Sequence, residues 1–154
     1  MRFRLVEEHQ YNRNKKQLPD FSHADLLTAE EAEKLPRRLR KHTRWWWLRS
    51  PGDDSKHAAY VHIGGSVYYD GHPVDLSDVA VRPALRISNL NDYRVGSLFK
   101  FGGKWFEIID ENTAFCLSNI GIEKFDDKTN DYNNSYIKQY IDNWFSENIQ
   151  KIKQ

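Results

Sequence analysis

The side chains best suited to chemistry gather in one stretch, "RRLRKHTRWWWLRSPGDD", residues 37 to 54. Arg37, Arg38, Arg40, Lys41 and Arg44 stand directly before three consecutive tryptophans. Cations hold phosphates, and an exposed ring stacks on a base. Arg37, Arg38, Arg40, Lys41, Arg44 and Trp45 are therefore the local case for nucleic-acid or partner contact. The plain alternative is a solvated face of ordinary charged side chains.

Catalytic chemistry finds less support. The histidines, His9, His23, His42, His57, His62 and His72, are scattered. His57 and His62 stand five apart in an expected strand, so they face opposite sides and make no metal pair. Asp53, Asp54 and Asp70 do not form a calcium loop. The single cysteine, Cys116, excludes an intrachain disulfide and any multi-cysteine metal site. Its setting, "TAFCLSNI", reads as that of a small buried hydrophobe. "TNDYNNS" offers polar groups but no base with a partnered nucleophile. Gly64-Gly65 and Gly102-Gly103 precede no helix opening on Lys-Ser/Thr, so they read as hairpin turns rather than phosphate loops. The expectation is a protein without cofactor, metal or catalytic residues.

The tryptophans have a structural reading of their own. In an extended strand Trp45 and Trp47 face one side and Trp46 the other. Arg49 shares the Trp47 face, where its guanidinium could stack on an indole or pin a carboxylate. Trp46, Trp47, Arg49 and Arg82 are assigned to the fold, because tryptophan is a large core residue and buried arginine is normally paired. Trp45 is the one expected to show at the surface.

These residues need elements to position them. Ala24 to Leu27 reads as a strand. Thr28 with Glu31 forms a capping box, with Glu30 in the same first turn, and Pro36 stops that helix. "HAAYVHIGGSVYYDG" reads as a hairpin about Gly64-Gly65. "VAVRPALRIS" reads as one strand, with Pro83 implying an edge or a bulge. A second hairpin turns at Gly102-Gly103 and a third turn falls at Asp110 to Asn112. Ile137, Tyr140, Ile141, Trp144 and Phe145 repeat at helical spacing, with Asn134 or Ser135 as cap. The fold class is α+β, with short antiparallel strands, hairpins and two main helices.

Composition bounds the rest. The 154 residues suit a single domain spanning 1–154, and an aromatic content of 14% supplies a core despite the low mean hydropathy. The net charge of +1 gives no global pull toward nucleic acid or membrane. The charge is uneven: 12 Lys/Arg against 7 Asp/Glu in residues 1–50, 5 against 6 in 51–103, and 6 against 9 in 104–154. No apolar segment suits a membrane span, and "MRFRLVEEHQ" lacks the apolar region of a secretory signal. A cytoplasmic protein is expected, including a phage-encoded one acting in a host cytoplasm.

The words "WWLRSPG", "AAYVHIGGSVYYDG" and "VRPALRI" resemble the tail half of an uncharacterised bacterial and phage domain family, related to the C-type-lectin-like and formylglycine-generating-enzyme folds. "DLLTAEEAEKL" matches the same family, so the tail half covers 24–88. Residues 96–148, from "VGSLFKFGGKWFEIIDENTAF" to "YIKQYIDNWF", resemble its front half. The halves stand in exchanged order. The resemblance therefore implies circular permutation, with 88–96 as a new linker turning "VRPALRI" back onto "GSLFKFGGKW" as an antiparallel partner. A swapped dimer is the rival account, so monomer and swapped dimer both stay open.

The resemblance also implies a function. Such folds place their ligand surface at the segment equivalent to 53–80, which makes Asp53, Asp54, Lys56, His62, Tyr69, Asp70 and His72 ligand-binding candidates. The Glu-Pro-Asn and Trp-Asn-Asp calcium motifs of lectins are absent, as is the cysteine pair of formylglycine-generating enzymes. The expected function is a non-catalytic binding domain that recognises a protein or a glycan through loops 53–80 and the basic edge. The alternative is a phage or prophage accessory protein that inhibits a host defence nuclease by binding it or its nucleic acid.

Overall fold

The computed structural model describes residues 17–153; Phe3 to Val6 and His9 lie outside them. In chain order the elements are β1 (Asp20–Asp25), α1 (Ala29–Glu33), α2 (Arg37–Arg40), β2 (Trp46–Pro51), β3 (His57–Val61), β4 (Val67–Pro73), β5 (Ala80–Val81), β6 (Ala84–Asn89), β7 (Leu98–Phe101), β8 (Lys104–Asp110), β9 (Thr113–Cys116), β10 (Gly121–Ile122) and α3 (Tyr136–Lys153), the last preceded by a 3₁₀ turn at Tyr132–Asn134. The strands form two five-stranded sheets, ordered β1-β6-β9-β8-β7 and β10-β5-β2-β3-β4. Neighbours run antiparallel except β2 and β5, which are parallel. The α+β class stands, with three α-helices rather than two.

Two buried clusters hold these layers together, and the tryptophans divide between them. Trp47 packs with Phe99, Phe101, Phe106, Phe125 and with Ile137 and Ile141 of α3, and Trp45 lies partly buried against this cluster. Trp46 packs on the other side with Leu27, Leu39, Val61 and Phe115, beneath α1 and α2. The period-2 alternation of a strand places consecutive indoles in different cores.

The capping box forms as expected. Thr28 Oγ1 accepts from Glu31 N at 3.1 Å, and Glu31 Oε1 accepts from Thr28 N at 2.9 Å. The hairpins turn where the glycines predict, and Ser135 caps α3 by accepting from Lys138 N. Asp126 adds a second cap, accepting from the backbone N–H groups of Tyr136, Lys128 and Thr129.

Four expectations need correction. The first strand is Asp20–Asp25, not Ala24 to Leu27. Leu26 N instead donates to Tyr132 Oη and Leu27 O accepts from Arg49 N, so both residues leave the ladder although both are buried. Pro36 does more than stop α1: it stands at the N-cap position of α2. "VAVRPALRIS" is two strands in two different sheets. Pro83, which has no N–H to donate, falls at the break between β5 and β6. The linker does not set β6 against β7. Both sides of β6 are taken, by β1 and β9, and β7 stands at the far edge beyond β8. The linker crosses that distance with Tyr93 buried edge-on to Phe99.

Candidate functional site

The β3–β4 hairpin and the end of the loop before β2 place five aromatic side chains on one face. Tyr60 pairs with Tyr68 across the hairpin. Their rings meet edge-on at 5.1 Å. His72 stands 4.9 Å from Tyr60, and His62 stacks on Tyr68 at 5.7 Å. Trp45 ties the group together, at 5.2 Å from Tyr60, 5.5 Å from His62 and 4.6 Å from His72. The cluster continues the Trp47 core out to solvent. Tyr60 is buried, Trp45, His62 and His72 are half-buried, and Tyr68 is 40% exposed.

Two exposed carboxylates flank these rings. Asp70 acts on the Tyr60 phenol and Asp78 on the His72 imidazole. Burial holds His72 below the usual histidine range; Asp78 opposes that and His57 adds to it. His72 is thus a neutral imidazole at pH 7, able to donate and accept.

The hairpin is clasped to the end of β2 by glycines. Asp53 N donates to Asp70 O at 2.8 Å, and Gly52 N to His57 O at 2.7 Å. A Cβ on Gly52 would meet Asp70 O at 2.5 Å. Gly71, at φ +95, lies against Gly52 itself. The Pro-Gly of "RSPG" thus lets two backbones touch and fixes the aromatic face relative to the tryptophan strand.

The fold divides the seven ligand candidates among three places. His62, Asp70 and His72 belong to the aromatic face. Tyr69 points to the opposite side, where burial and the carboxylates of Glu33 and Glu30 raise its phenol. Asp53, Asp54 and Lys56 form the loop before β3. There Asp54 Oδ1 takes His57 Nδ1 at 2.7 Å and Lys56 N at 2.8 Å, which lower its carboxyl below the ordinary range. Lys56 and His57 also line a cleft of about 340 Å³ with Val74, Asp75, Asp127 and Lys128. The residue sequence reasoning missed is Tyr68, with Tyr60 as its support. The signal was parity. Positions 60, 62, 68, 70 and 72 are all even, and the Gly64-Gly65 turn folds them onto one face.

The basic segment is largely tied down. Arg38 makes a bidentate pair with Glu107 at 2.9 and 2.8 Å. Arg40 donates to Gly65 O at 2.8 Å and Leu35 O at 2.7 Å, so it braces the hairpin turn. Arg44 reaches Asp78 O. The side chains of Arg37 and Lys41 are exposed and make no hydrogen bond or ion pair with a described residue. Trp45, expected at the surface, is half-buried as the floor of the aromatic face.

The four residues assigned to the fold behave unequally. Trp46 and Trp47 are fully buried, and their indole N–H groups donate to Arg40 O and Glu123 O. Arg82 is 1% exposed and donates to the carbonyls of Leu39, Cys116 and Ser118. Burial brings it down to about 10. Its partners are carbonyl oxygens rather than the carboxylate a buried arginine normally takes. Arg49 neither stacks on an indole nor pins a carboxylate. Its Nε is buried without a partner. The nearby Glu31 holds Arg86 through both carboxylate oxygens and acts on Arg49 through space alone. Cys116 is buried as expected, and burial pushes its thiol up.

Among the described residues no helix is long and apolar enough to cross a membrane. None of their His, Cys, Asp and Glu residues gather into a group of three or more that could hold a metal ion. What the fold and the site define is an α+β domain of two five-stranded sheets that presents a clasped aromatic face. Comparison with family models, with curated proteins and with solved structures finds no match.

Proposed function

We propose that this chain is a non-catalytic binding domain that recognises a protein or a glycan through the 53–80 segment. The observation that carries the reading is the aromatic face: Trp45, His62, Tyr68 and His72 open to solvent between Asp70 and Asp78. Rings of this kind stack on the C–H faces of sugars, while carboxylates and a neutral imidazole hydrogen-bond the hydroxyls. They equally take an arginine or lysine of a protein partner over a ring face beside a counter-charge. The architecture we propose is C-type-lectin-like and permuted. Contact between α3 and β1 supports it, since a short connection could once have joined them. The separation of β6 from β7 weighs on the other side.

The test is a screen of immobilised glycans and of a displayed peptide library, with the intact protein and with Tyr68→Ser. Ligands should be lost in Tyr68→Ser at unchanged melting temperature. Ligands indifferent to Tyr68 and to His72→Ala would remove the aromatic face from the reading.

A second reading keeps the basic segment as the contact of a phage-encoded inhibitor with a defence nuclease or its nucleic acid. Arg37 and Lys41, exposed and unpaired, favour it.

A further inference from the structure

The four sheet edges are not protected alike. β1 pairs with β6 through two register shifts, and β4 pairs with β3 through one and ends on Pro73. β10 is two residues long. Bulges, proline and brevity are the devices that keep an edge from accepting another strand. β7 has no proline, and its one bulge, Gly96 and Ser97 opposite Ile108, lies ahead of the strand. It pairs with β8 in unbroken register over Leu98–Phe101, and β8 is its one strand neighbour among the described residues.

The ladder decides which backbone groups are open. Ile108 N donates to Ser97 O at 3.0 Å and Ile108 O accepts from Gly96 N at 2.8 Å, so Ile108 and the bulged Gly96–Ser97 form a hydrogen-bonded pairing. Such pairs alternate in an antiparallel ladder. Phe99–Phe106 and Phe101–Lys104 therefore bond inward, and the N–H and C=O groups of Leu98 and Lys100 point away from the sheet. The register is anchored, because Phe99, Phe101 and Phe106 are buried on the core face.

The other face of this hairpin is apolar and open. Leu98 is 51% exposed and Trp105 49%. Together with Leu117 they line an open groove of about 510 Å³. Its rim is positive. Lys100 Nζ stands 5.5 Å from the Trp105 ring centroid, and Lys104 lines the groove. Glu107, opposite Leu98, is held by Arg38 and leaves no free carboxylate on this face of the hairpin.

We infer that the β7 edge with the Leu98–Trp105 groove docks an extended peptide of another protein as an added antiparallel strand. The peptide carries an acidic residue opposite Lys100 and, two positions later, an aliphatic residue opposite Leu98, at the mouth of the groove that Trp105 lines. Main-chain bonds to Leu98 and Lys100 hold it, and the two side chains give specificity. A second copy of this chain is a poorer occupant. Self-pairing sets Lys100 against Leu98, against its own equivalent or against Gly96, and none of these supplies a carboxylate. This surface lies apart from the aromatic face and does not depend on it.

The probe is a short acetylated and amidated peptide, Thr-Val-Glu-Thr-Leu-Val-Thr, with a dye for anisotropy, and the same peptide with Lys in place of Glu. The intact protein should bind the Glu peptide about fivefold tighter than the Lys peptide. K100E should reverse that preference. Amide exchange should slow at Leu98 and Lys100 on binding. Trp105→Ala should abolish binding at unchanged melting temperature, and Tyr68→Ser should leave it intact. Equal affinity for both peptides, no binding of either, or protection away from β7 would overturn the proposal. So would self-association that K100E dissolves, since the occupant would then be a second copy.

Discussion

The guanidinium carbon of Arg82 lies 4.7 Å from the ring centroid of Trp46 and 4.4 Å from that of Phe115, two rings whose own centroids are 5.3 Å apart. A charge thus rests against a pair of touching rings inside the smaller core, with its N–H groups donating to the carbonyls of Leu39, Cys116 and Ser118. Two motifs, "WWLRSPG" and "VRPALRI", meet at this contact. Removing the guanidinium would orphan several buried carbonyls at roughly 1–3 kcal/mol each. Arg82→Ala should therefore lower stability by at least about 3 kcal/mol, and Arg82→Lys should recover only part of it, measured by denaturant unfolding.

Glu31 serves two elements at once. It closes the capping box of α1 and holds Arg86 of β6 at 2.7 and 3.0 Å. Burial pushes its carboxyl up, but the Arg86 and Thr28 hydrogen bonds outweigh that and lower it from 4.5. A depressed carboxyl adds stability above its unfolded range and loses it as the pH falls through the folded value. Glu31→Gln should flatten the acid limb of the unfolding curve below about pH 4.5. Thr28→Ala, which removes only the cap, should cost about 1 kcal/mol and leave the pH dependence in place.

His42 sets a separate window. Burial, with Arg82 nearby, lowers it from 6.5 to about 4, and Asn119 Nδ2 stands 3.3 Å from its Nε2. The unfolded chain binds the proton first, so stability should fall on acidification between 6.5 and about 4. His42→Gln should reduce that slope. His72, shifted the same way, should keep part of it. Chemical denaturation at stepped pH reads both.

The basic segment yields a salt test. Arg38, Arg40 and Arg44 are engaged within the fold, which leaves Arg37 and Lys41. We expect no salt-dependent shift of a single-stranded oligonucleotide in a mobility assay. A shift at low salt that Arg37→Glu with Lys41→Glu removes would favour the nuclease-inhibitor reading.

Local chemistry was legible in the sequence because it acts over a few residues. Thr28 and Glu31 reach each other within one helical turn, glycine pairs turn hairpins, and the apolar repeat of α3 has a helical period. The division of Trp46 and Trp47 between two faces followed from the pleat alone. The site was half legible. His62, Asp70 and His72 stand among the expected ligand residues; Tyr69 stands there too although it lies one residue out of phase, and Tyr68 does not.

What only the tertiary structure decided is pairing at a distance. β6 accepted β1 and β9 rather than β7, because a strand has two sides and both were filled. Arg82 found its pairing in backbone carbonyls far along the chain, and Arg49 Nε stayed buried without a hydrogen-bond partner while Glu31 bonded Arg86. Such outcomes depend on competition among residues far apart in the chain. The sequence by itself determined the hairpin turns, the capping box, the long C-terminal helix and the two-sided tryptophan strand. Which groups remained free at the surface, at Tyr68 and along β7, was settled only when the sheets closed and every other partner had been taken.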